Sequence, residues 1–324
     1  AVTLALTGCA GGGKAAQSGE TKAELPFKAC AVSDTGGWQD KSFNESAYDG
    51  LMEAKSYLGV TVDTAESDTE DDFVGNVDKM VAADCTLIIG VGFHLEPAVH
   101  QSALQHPDRN YAMIDTTFTD GTDEAVLKNG RPLLFNASEA AFLAGYTSAA
   151  MSKTGKVATF GGAQIPAVAV FMDGFADGVK AYNEAKGTSV QVLGWDKETQ
   201  TGAFTDSFDD QSLGLQQAQQ FIAQGADIIM PVAGPVGMGA AAAAKADGKT
   251  LIVGVDSDWY ETNPQYSSII LTSVMKEIGA AVEQAIQDSV KGKFTSEHYI
   301  GTLANGGVSL APFHDYETQV PKEL

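Results

Sequence analysis

The chain has few basic residues. Among its 324 residues, 20 Lys and Arg stand against 42 Asp and Glu, which gives a formal net charge of -22. Nucleic-acid binding requires clustered Lys and Arg at the phosphates, and attraction to an anionic lipid surface requires them too, so the composition argues against both partners. The simplest interpretation of the acidity is a solvated surface that favours solubility, and the more specific alternative is docking on a basic partner. The length indicates about two domains.

Cysteine and histidine are also scarce. Three cysteines are too few for a disulfide scaffold in a chain of this size, and none belongs to a Cys-x-x-Cys motif. We also find no Gly-x-Ser-x-Gly, Walker A or His-Glu-x-x-His motif. We therefore expect no catalytic residue, no metal and no cofactor, and a protein that is not an enzyme. The five histidines are scattered: His94, His100, His106, His298 and His314. The first three are six residues apart, which does not keep metal ligands on one helical face, and they are interpreted as surface residues.

The first residues look like a processing signal. Residues 1–9 read as the tail of an apolar signal segment, and Leu6–Cys9 is similar to a bacterial lipobox with Cys9 as the lipidated thiol. Residues 10–24 are rich in small and polar residues, which predicts a flexible linker, and folding is expected to begin near Leu25. No later segment has the roughly 18 continuous apolar residues of a membrane span. We expect an extracytoplasmic protein held at the cell membrane by the lipid alone.

An oxidising compartment bears on the other two cysteines. Cys30 lies in one predicted strand and Cys85 lies just before another. Because the first and third strands of a doubly wound sheet are neighbours, a disulfide between Cys30 and Cys85 is a reasonable prediction. The alternative is two small buried thiols.

Strands and helices alternate along the chain, which predicts parallel sheets covered by helices. The alternation restarts near residue 138, and this indicates two similar α/β lobes. Predicted strands are Lys28–Ser33, Gly59–Thr64, Thr86–Gly92, Asn110–Asp115, Val157–Phe160, Val190–Trp195, Asp227–Val232, Leu251–Val255 and Ile269–Val274. Predicted helices are Ser46–Leu58, Asp71–Ala83, Leu95–His106, Ser138–Met151, Pro166–Tyr182, Asp209–Gln224, Val236–Asp247 and Lys276–Val290.

The stretch Ser33–Asn44, reading SDTGGWQDKSFN, is the most distinctive in the chain. It joins the first predicted strand to the first predicted helix, and ligands of open α/β sheets lie at the carboxyl ends of strands. Asp34, Ser42, Phe43 and Asn44 are therefore candidate ligand contacts, through hydrogen bonds and through stacking on a planar group. The competing interpretation is structural: Asn44 as a helix cap and Phe43 as a hydrophobic staple.

This motif resembles the opening signature of the basic membrane protein family, whose members are substrate-binding lipoproteins of ABC transporters and include nucleoside receptors. Further matches occur in the same order along nearly the whole mature chain: Ile89–Phe93, Phe135–Asn136, Gly161–Pro166, Phe171–Phe175, Thr201–Asp206, Val255–Asp258 and Leu271–Lys276. The resemblance implies a type I periplasmic-binding-protein fold, in which two doubly wound lobes enclose the ligand. It also implies a nucleoside ligand, with a purine expected, and ABC permease and ATPase subunits as partners.

The resemblance assigns roles to individual residues. Asp34, Asn44 and Asp115 would contact the base edge, and Phe43 and Phe204 would stack on its two faces. Asp256 would accept the ribose hydroxyls, with Lys276 near the sugar, and Gly234 would let the backbone approach the ligand. Alternatives remain for three of them. In these alternatives Phe204 is an ordinary core or loop aromatic, Lys276 serves only to neutralise Asp256, and Asp115 caps a following turn.

Two features depart from the family pattern. Trp38 is a large aromatic inside the pocket motif, where we expect it to add contact area or close the cleft. Pro235, after Gly234, stiffens a loop in which a more flexible residue is expected, and this leaves the ligand contacts of the loop open.

The expected N-terminal lobe contains residues 25–136 and 257–293, and the C-terminal lobe contains residues 137–256 and 294–324. About three crossovers should form the hinge, near Phe135–Ser138, Asp256–Asp258 and Lys293–Tyr299. A monomer is expected, and ligand binding should shift the two lobes toward a closed form that the permease recognises. Rival functions are a receptor of the same fold for a sugar or another small metabolite, and a surface sensor or adhesin that serves no permease.

Overall fold

A computed structural model describes residues 25–118, 127–322 and 324. The predicted lipobox, Cys9 and the linker lie outside these residues. In the described chain the strands are β1 (Lys28–Ser33), β2 (Thr61–Ala65), β3 (Leu87–Val91), β4 (Asn110–Ile114), β5 (Gly130–Phe135), β6 (Lys156–Gly161), β7 (Gln191–Leu193), β8 (Trp195–Asp196), β9 (Thr201–Gly202), β10 (Ile228–Val232), β11 (Leu251–Asp256), β12 (Ile270–Lys276), β13 (Tyr299–Gly301) and β14 (Val308–Leu310). The helices are α1 (Phe43–Leu58), α2 (Phe73–Ala82), α3 (Glu96–Gln105), α4 (Ala137–Met151), α5 (Pro166–Lys186), α6 (Gln211–Ala223), α7 (Val236–Asp247), α8 (Trp259–Thr262) and α9 (Ile278–Val290).

The strands form two large sheets, one in each lobe. The first has the order β13-β5-β4-β3-β1-β2 and the second β14-β12-β11-β10-β6-β7, and β8 and β9 form a separate hairpin. Pairing within the large sheets is parallel except between β12 and β14. The predicted fold, two doubly wound α/β lobes, is confirmed.

Alternating side chains of β1 show how each sheet is covered. Ala29 and Ala31 pack toward the α1 face, whereas Cys30 and Val32 belong to the separate core beneath α2 and α3. Helix α9 packs on α1 and so completes the first face. Buried apolar residues therefore occupy both faces of the sheet, as parallel sheets require.

The two cysteines of the first lobe form a disulfide. Strands β1 and β3 are neighbours, and the Cα atoms of Cys30 and Cys85 are 5.9 Å apart. Both side chains are fully buried. The bond ties β1 to the turn that precedes β3, and the alternative of two free thiols does not apply.

Sheet membership corrects the expected lobe boundaries at two places. Residues 257–276 were expected in the N-terminal lobe, but β12 pairs with β11 and belongs to the second sheet. Residues 294–301 were expected in the C-terminal lobe, but β13 pairs with β5 in the first sheet. The physical reason is that backbone pairing decides which sheet a strand joins, and hydropathy does not encode that pairing.

The hinge consequently differs from the prediction. The first crossover, between β5 and α4, is where it was expected. The other two were predicted at the wrong places: they lie between β12 and α9 and between β13 and β14. Backbone hydrogen bonds connect all three crossovers: Asn136 N, in the first, donates to Gly301 O in the third, and Glu277 N, in the second, donates to Gly307 O in the third. All three crossings therefore lie side by side.

Candidate functional site

A cavity of about 480 Å³ lies between the carboxyl ends of the two sheets. Both lobes contribute to its wall, because parallel strands of each sheet end at the cleft. Seven of the residues selected from the sequence line it: Asp34, Phe43, Asn44, Asp115, Gly234, Asp256 and Lys276. Ser42, Trp38 and Phe204 lie outside the lining.

The loop between β1 and α1 is organised by Asp40. Its Oδ1 accepts hydrogen bonds from the backbone N–H groups of Ser42 and Glu45, both at 2.9 Å, and its Oδ2 accepts from Asn44 N at 2.9 Å. Asp40 thus satisfies the free donors at the start of α1. The alternative that Asn44 caps this helix is wrong, and its side chain is available for the cavity.

The Asn44 side chain is bonded to Asp34. Its Nδ2 donates to Asp34 Oδ1 at 2.8 Å, and Gly36 N donates to the same oxygen at 3.1 Å. Burial raises the pKa of the Asp34 carboxyl above its ordinary value, and these two hydrogen bonds oppose the rise. Gly92 is required beside this carboxyl, because it has φ +113° and a Cβ there would lie 2.1 Å from Asp34 Oδ2.

Lys276 lies at the end of β12 with its side chain only 3% exposed. Its Nζ is 2.5 Å from Asp115 Oδ2 and 4.0 Å from Asp256 Oδ1. The alternative that Lys276 only neutralises Asp256 is wrong, since its shorter contact is with Asp115. Three aromatic rings surround the ammonium, with centroids at 4.8, 5.2 and 5.7 Å: Phe43, Phe135 and Phe171. This is a buried cation held by carboxylates and ring faces together.

Asp256 ends strand β11 and is nearly buried. Its pKa is raised to about 6, mainly because burial removes water, while Lys276 opposes the rise and Asp115 adds to it. Ser42 Oγ donates to Asp256 Oδ2 at 3.1 Å. Ser42 therefore positions this carboxylate and is not part of the cavity wall. Asp256, the last residue of β11, and Asp115, directly after β4, have φ of +68° and +67°, and these left-handed residues turn their side chains into the cleft.

Hydrogen bonds connect the two lobes across the cleft. Besides the bond between Ser42 and Asp256, Thr35 Oγ1 donates to Asp209 Oδ2 at 3.2 Å. Ser257 Oγ donates to Lys41 O at 3.3 Å. The described cleft is therefore closed.

Phe204 and Trp38 are not in the cavity wall. Phe204 forms a β-bridge with Gly161 and packs edge-on against Trp195, with ring centroids 5.9 Å apart. Trp38 packs against Tyr48 at 5.6 Å and lines a different cavity, of about 380 Å³, outside the cleft. The expected roles of Trp38, in adding ligand contact or closing the cleft, therefore have no support from its position.

The C-terminal lobe instead contributes Phe208, which sequence reasoning missed. It lies over Gly162, where an added Cβ would be 2.4 Å from its ring. Phe208 O accepts from Val236 N at 3.2 Å, which ties the ring to the turn at Gly234. The sequence does contain this second Phe, four residues after Phe204, but nothing in the sequence indicates which of the two rings lines the cavity.

Charge at the site is predominantly negative. Seven carboxyl groups line the cavity: Asp34, Asp40, Glu70, Asp115, Asp206, Asp209 and Asp256. Across the residues that the structure describes, no group of three or more His, Cys, Asp or Glu is arranged to hold a metal ion. Within the same residues, no helix is long and apolar enough to cross a membrane.

Replacement of Lys276 by Met should lower the free energy of unfolding by about 3–5 kcal/mol near neutral pH, because two buried carboxylates lose their cation. In the wild type Lys276 opposes the rise in the Asp256 pKa, so its loss should raise that pKa above about 6, and the folded variant should bind a proton at higher pH than the folded wild type does. The deficit in the free energy of unfolding should therefore shrink as pH falls from neutral toward 5.

Urea unfolding near neutral pH and near pH 5 measures this effect. Lys180→Met, at an exposed position of α5, is the matched control and should change little at either pH. An equal loss for Lys276→Met at both pH values would contradict the assignment of the ammonium to these carboxylates.

Comparison with known proteins agrees with the architecture. The family model described as "ABC transporter substrate-binding protein PnrA-like" matches residues 27–323. The chain is 29% identical to the ABC transporter nucleoside-binding protein BmpA of Lactococcus lactis subsp. cremoris, over 94% of this chain and 86% of that protein. It is 31% identical to basic membrane protein A of Borreliella burgdorferi, over 89% of this chain and 77% of that protein.

Among solved structures, a solute-binding protein of an ABC transporter system from Aeropyrum pernix K1 is 29% identical and superposes with a TM-score of 0.77. The match covers 92% of this chain and 82% of that one. The two closed lobes, the polar strand ends at the cleft and these matches lead to one conclusion: the chain belongs to the Bmp family of ABC-transporter substrate-binding proteins.

Proposed function

We propose that this protein binds a nucleoside, expected to be a purine nucleoside, in the cleft and delivers it to an ABC permease driven by an ATPase. The observation that carries the proposal is one cavity that is lined by aromatic rings from both lobes and by the buried carboxylate of Asp256 at a strand end. Its volume of about 480 Å³ falls within the range typical of small-ligand sites. The similarity to the nucleoside-binding protein of Lactococcus lactis supports the same ligand class.

The two rings would hold the base. Phe43 comes from the N-terminal lobe and Phe208 from the C-terminal lobe, and both line the cavity. A base between two rings gains stacking energy from each face without a requirement for one base identity. We assign the second ring to Phe208 in place of Phe204, because the Phe204 ring packs on Gly161 and Trp195.

The sugar would lie toward Asp256. An ionised carboxylate accepts two hydroxyl hydrogen bonds, and each such charge-assisted bond contributes about 1.5–3 kcal/mol. Lys276 lies close to this carboxylate and reduces the energetic cost of keeping it charged in a buried place. Asp34, Asn44 and Asp115 would contact the base edge, and the turn at Gly234, which has φ +51°, would approach the ligand through its backbone.

A calorimetric series of nucleosides, free bases, ribose and hexoses tests the ligand class. Nucleosides should bind to the protein more tightly than the free base or ribose alone. Asp256→Asn should weaken binding of nucleosides strongly and of free bases little. Because Asp256 has a pKa of about 6, wild-type affinity for nucleosides should fall as pH drops through 6, since protonation removes an acceptor.

The Asp256→Asn variant is also the control for pH, because it has no carboxyl to titrate and its affinity should be nearly flat through that range. Equal losses for nucleosides and free bases would remove the ribose assignment. Tight binding of a hexose with no nucleoside binding would establish the rival sugar receptor.

Separate replacement of Phe208 and of Phe204 tests which ring stacks on the base. Phe208→Ala should weaken nucleoside binding by about 1–3 kcal/mol, the usual value of one base on one ring. Phe204→Leu keeps an apolar group against Trp195 and should leave affinity nearly unchanged. A large loss from Phe204→Leu in protein of normal melting temperature would return the stacking role to Phe204.

The proposal includes a lipid anchor on Cys9, which would hold the receptor at the outer side of the cell membrane, as a monomer, within reach of the permease. It rests on the lipobox-like Leu6–Cys9 and the linker-like residues after it. In cells that express the full precursor, the protein should partition into detergent, and Cys9→Ala should move it to the aqueous phase. Detergent partition of the Cys9→Ala protein would show that another feature attaches it.

A further inference from the structure

The Asn44 side chain has an acceptor with no partner. It is only 2% exposed and lines the cavity. Its Nδ2 is committed to the Asp34 carboxyl, so its Oδ1 is the remaining group, and this oxygen is buried without a hydrogen bond among the described residues. An unsatisfied buried polar atom costs about 1–3 kcal/mol, so its presence in a cavity wall indicates a ligand that donates a hydrogen bond.

Asp34 adds a second acceptor beside the first. Both hydrogen bonds to its carboxyl within the described chain go to Oδ1, from Asn44 and from Gly36. Burial makes the charged form of this group unfavourable, and the nearby Asp209 disfavours it further. A ligand N–H that donated to Asp34 would offset part of that cost.

The basic side chains in the described lining already have carboxylate partners. Lys276 contacts Asp115 and Asp256, and His94 Nδ1 lies 2.9 Å from Glu70. The wall around Asp34 and Asn44 therefore recognises a ligand edge through acceptors.

The geometry points to a guanine base. This inference rests on the nucleoside function proposed above, and it names the base: we propose that Asn44 Oδ1 and the Asp34 carboxyl accept the two adjacent donors of guanine, N1–H and the exocyclic N2 amino group. Hypoxanthine retains N1–H but lacks the amino group. Adenine places an unprotonated ring nitrogen beside its single amino donor, and that nitrogen would face the protein oxygens. The expected order of affinity is guanosine, then inosine, then adenosine.

Calorimetry with guanosine, inosine, adenosine and 1-methylguanosine tests this order. Guanosine should bind at least about 10-fold more tightly than inosine, since a paired donor and acceptor usually discriminates by that much or more. Adenosine should be weaker again. The methyl group of 1-methylguanosine removes the N1 donor and should reduce affinity strongly with the sugar unchanged.

The Asp34→Asn variant keeps the shape of the side chain and turns one carboxyl oxygen into a donor. It should narrow the ratio of guanosine to adenosine affinity by about 10-fold or more. Asp108→Asn makes the same chemical change in the exposed turn before β4, remote from the cleft, and should preserve the ratio.

Equal affinity for the three purine nucleosides, a preference for adenosine, or an unchanged ratio in folded Asp34→Asn would overturn the guanine assignment while the nucleoside function stood. The absence of binding by every nucleoside, with binding of a sugar, would overturn the function and the assignment together. If Asp34→Asn does not fold, the wild-type series alone decides the order.

Discussion

The Lys276 ammonium is the cation on which the cleft depends. It is buried at the end of β12, and without it Asp115 and Asp256 would be two carboxylates in a site from which water is largely removed. Two like charges in such a place cannot both remain ionised at low cost. The ammonium allows Asp115, from the first lobe, and Asp256, from the second, to face the same small volume. The rings of Phe43, Phe135 and Phe171 take over part of the solvation that water would otherwise supply.

The position of Lys276 follows from strand order. Strand β12 pairs with β11 in the second sheet, and the chain crosses directly after Lys276 to α9 of the first lobe. The residue is therefore both a strand end at the cleft and the last residue before a hinge crossover. Its contact with Asp115 spans the two lobes close to the hinge. A hinge placed after β11, as the sequence analysis expected, would have put Lys276 within the N-terminal lobe and hidden this connection.

Local patterns in the sequence predicted most elements and the chemistry of strand ends. Strand β1 and helix α7 were predicted with the observed bounds, because each combines an apolar period with clear flanking residues. Strands β5, β13 and β14 were missed. Two of them have only three residues, and β5 contains Arg131 and Pro132, which weaken a strand pattern. Sheet partners were not predictable, since backbone pairing leaves no local signature.

In the site too, some residues could be predicted from the sequence and others required coordinates. Asp34 could be selected because it directly follows a buried strand, at the ligand edge of such a sheet, whereas Asp115 and Asp256 were assigned through the family resemblance. The choice between Phe204 and Phe208 required coordinates, because it depends on which ring fits against Gly161 and which fits over Gly162. Trp38 was selected for its proximity in sequence, but the loop that Asp40 holds at α1 directs it to Tyr48, away from the cavity. Proximity in sequence is a weak guide in a loop whose successive residues face different directions.

Apart from the buried contacts of Ser42 with Asp256 and of Lys276 with Asp115, the contacts between the lobes across the closed cleft are weak. The described side-chain hydrogen bonds across it include those of Thr35 with Asp209 and Ser257 with Lys41, and both have exposed members. Each such bond contributes only about 0.5–1.5 kcal/mol, and closure also brings Asp209 toward Asp34, which disfavours the charged forms. A ligand that donates to Asp34 and fills the space between Phe43 and Phe208 would add attraction only in the closed state. A ligand that binds the closed state about 5.5 kcal/mol more favourably than the open state moves a two-state equilibrium from almost fully open to almost fully closed. Weak exposed contacts and crowded carboxylates favour a closure that depends on the ligand, as we propose for this receptor.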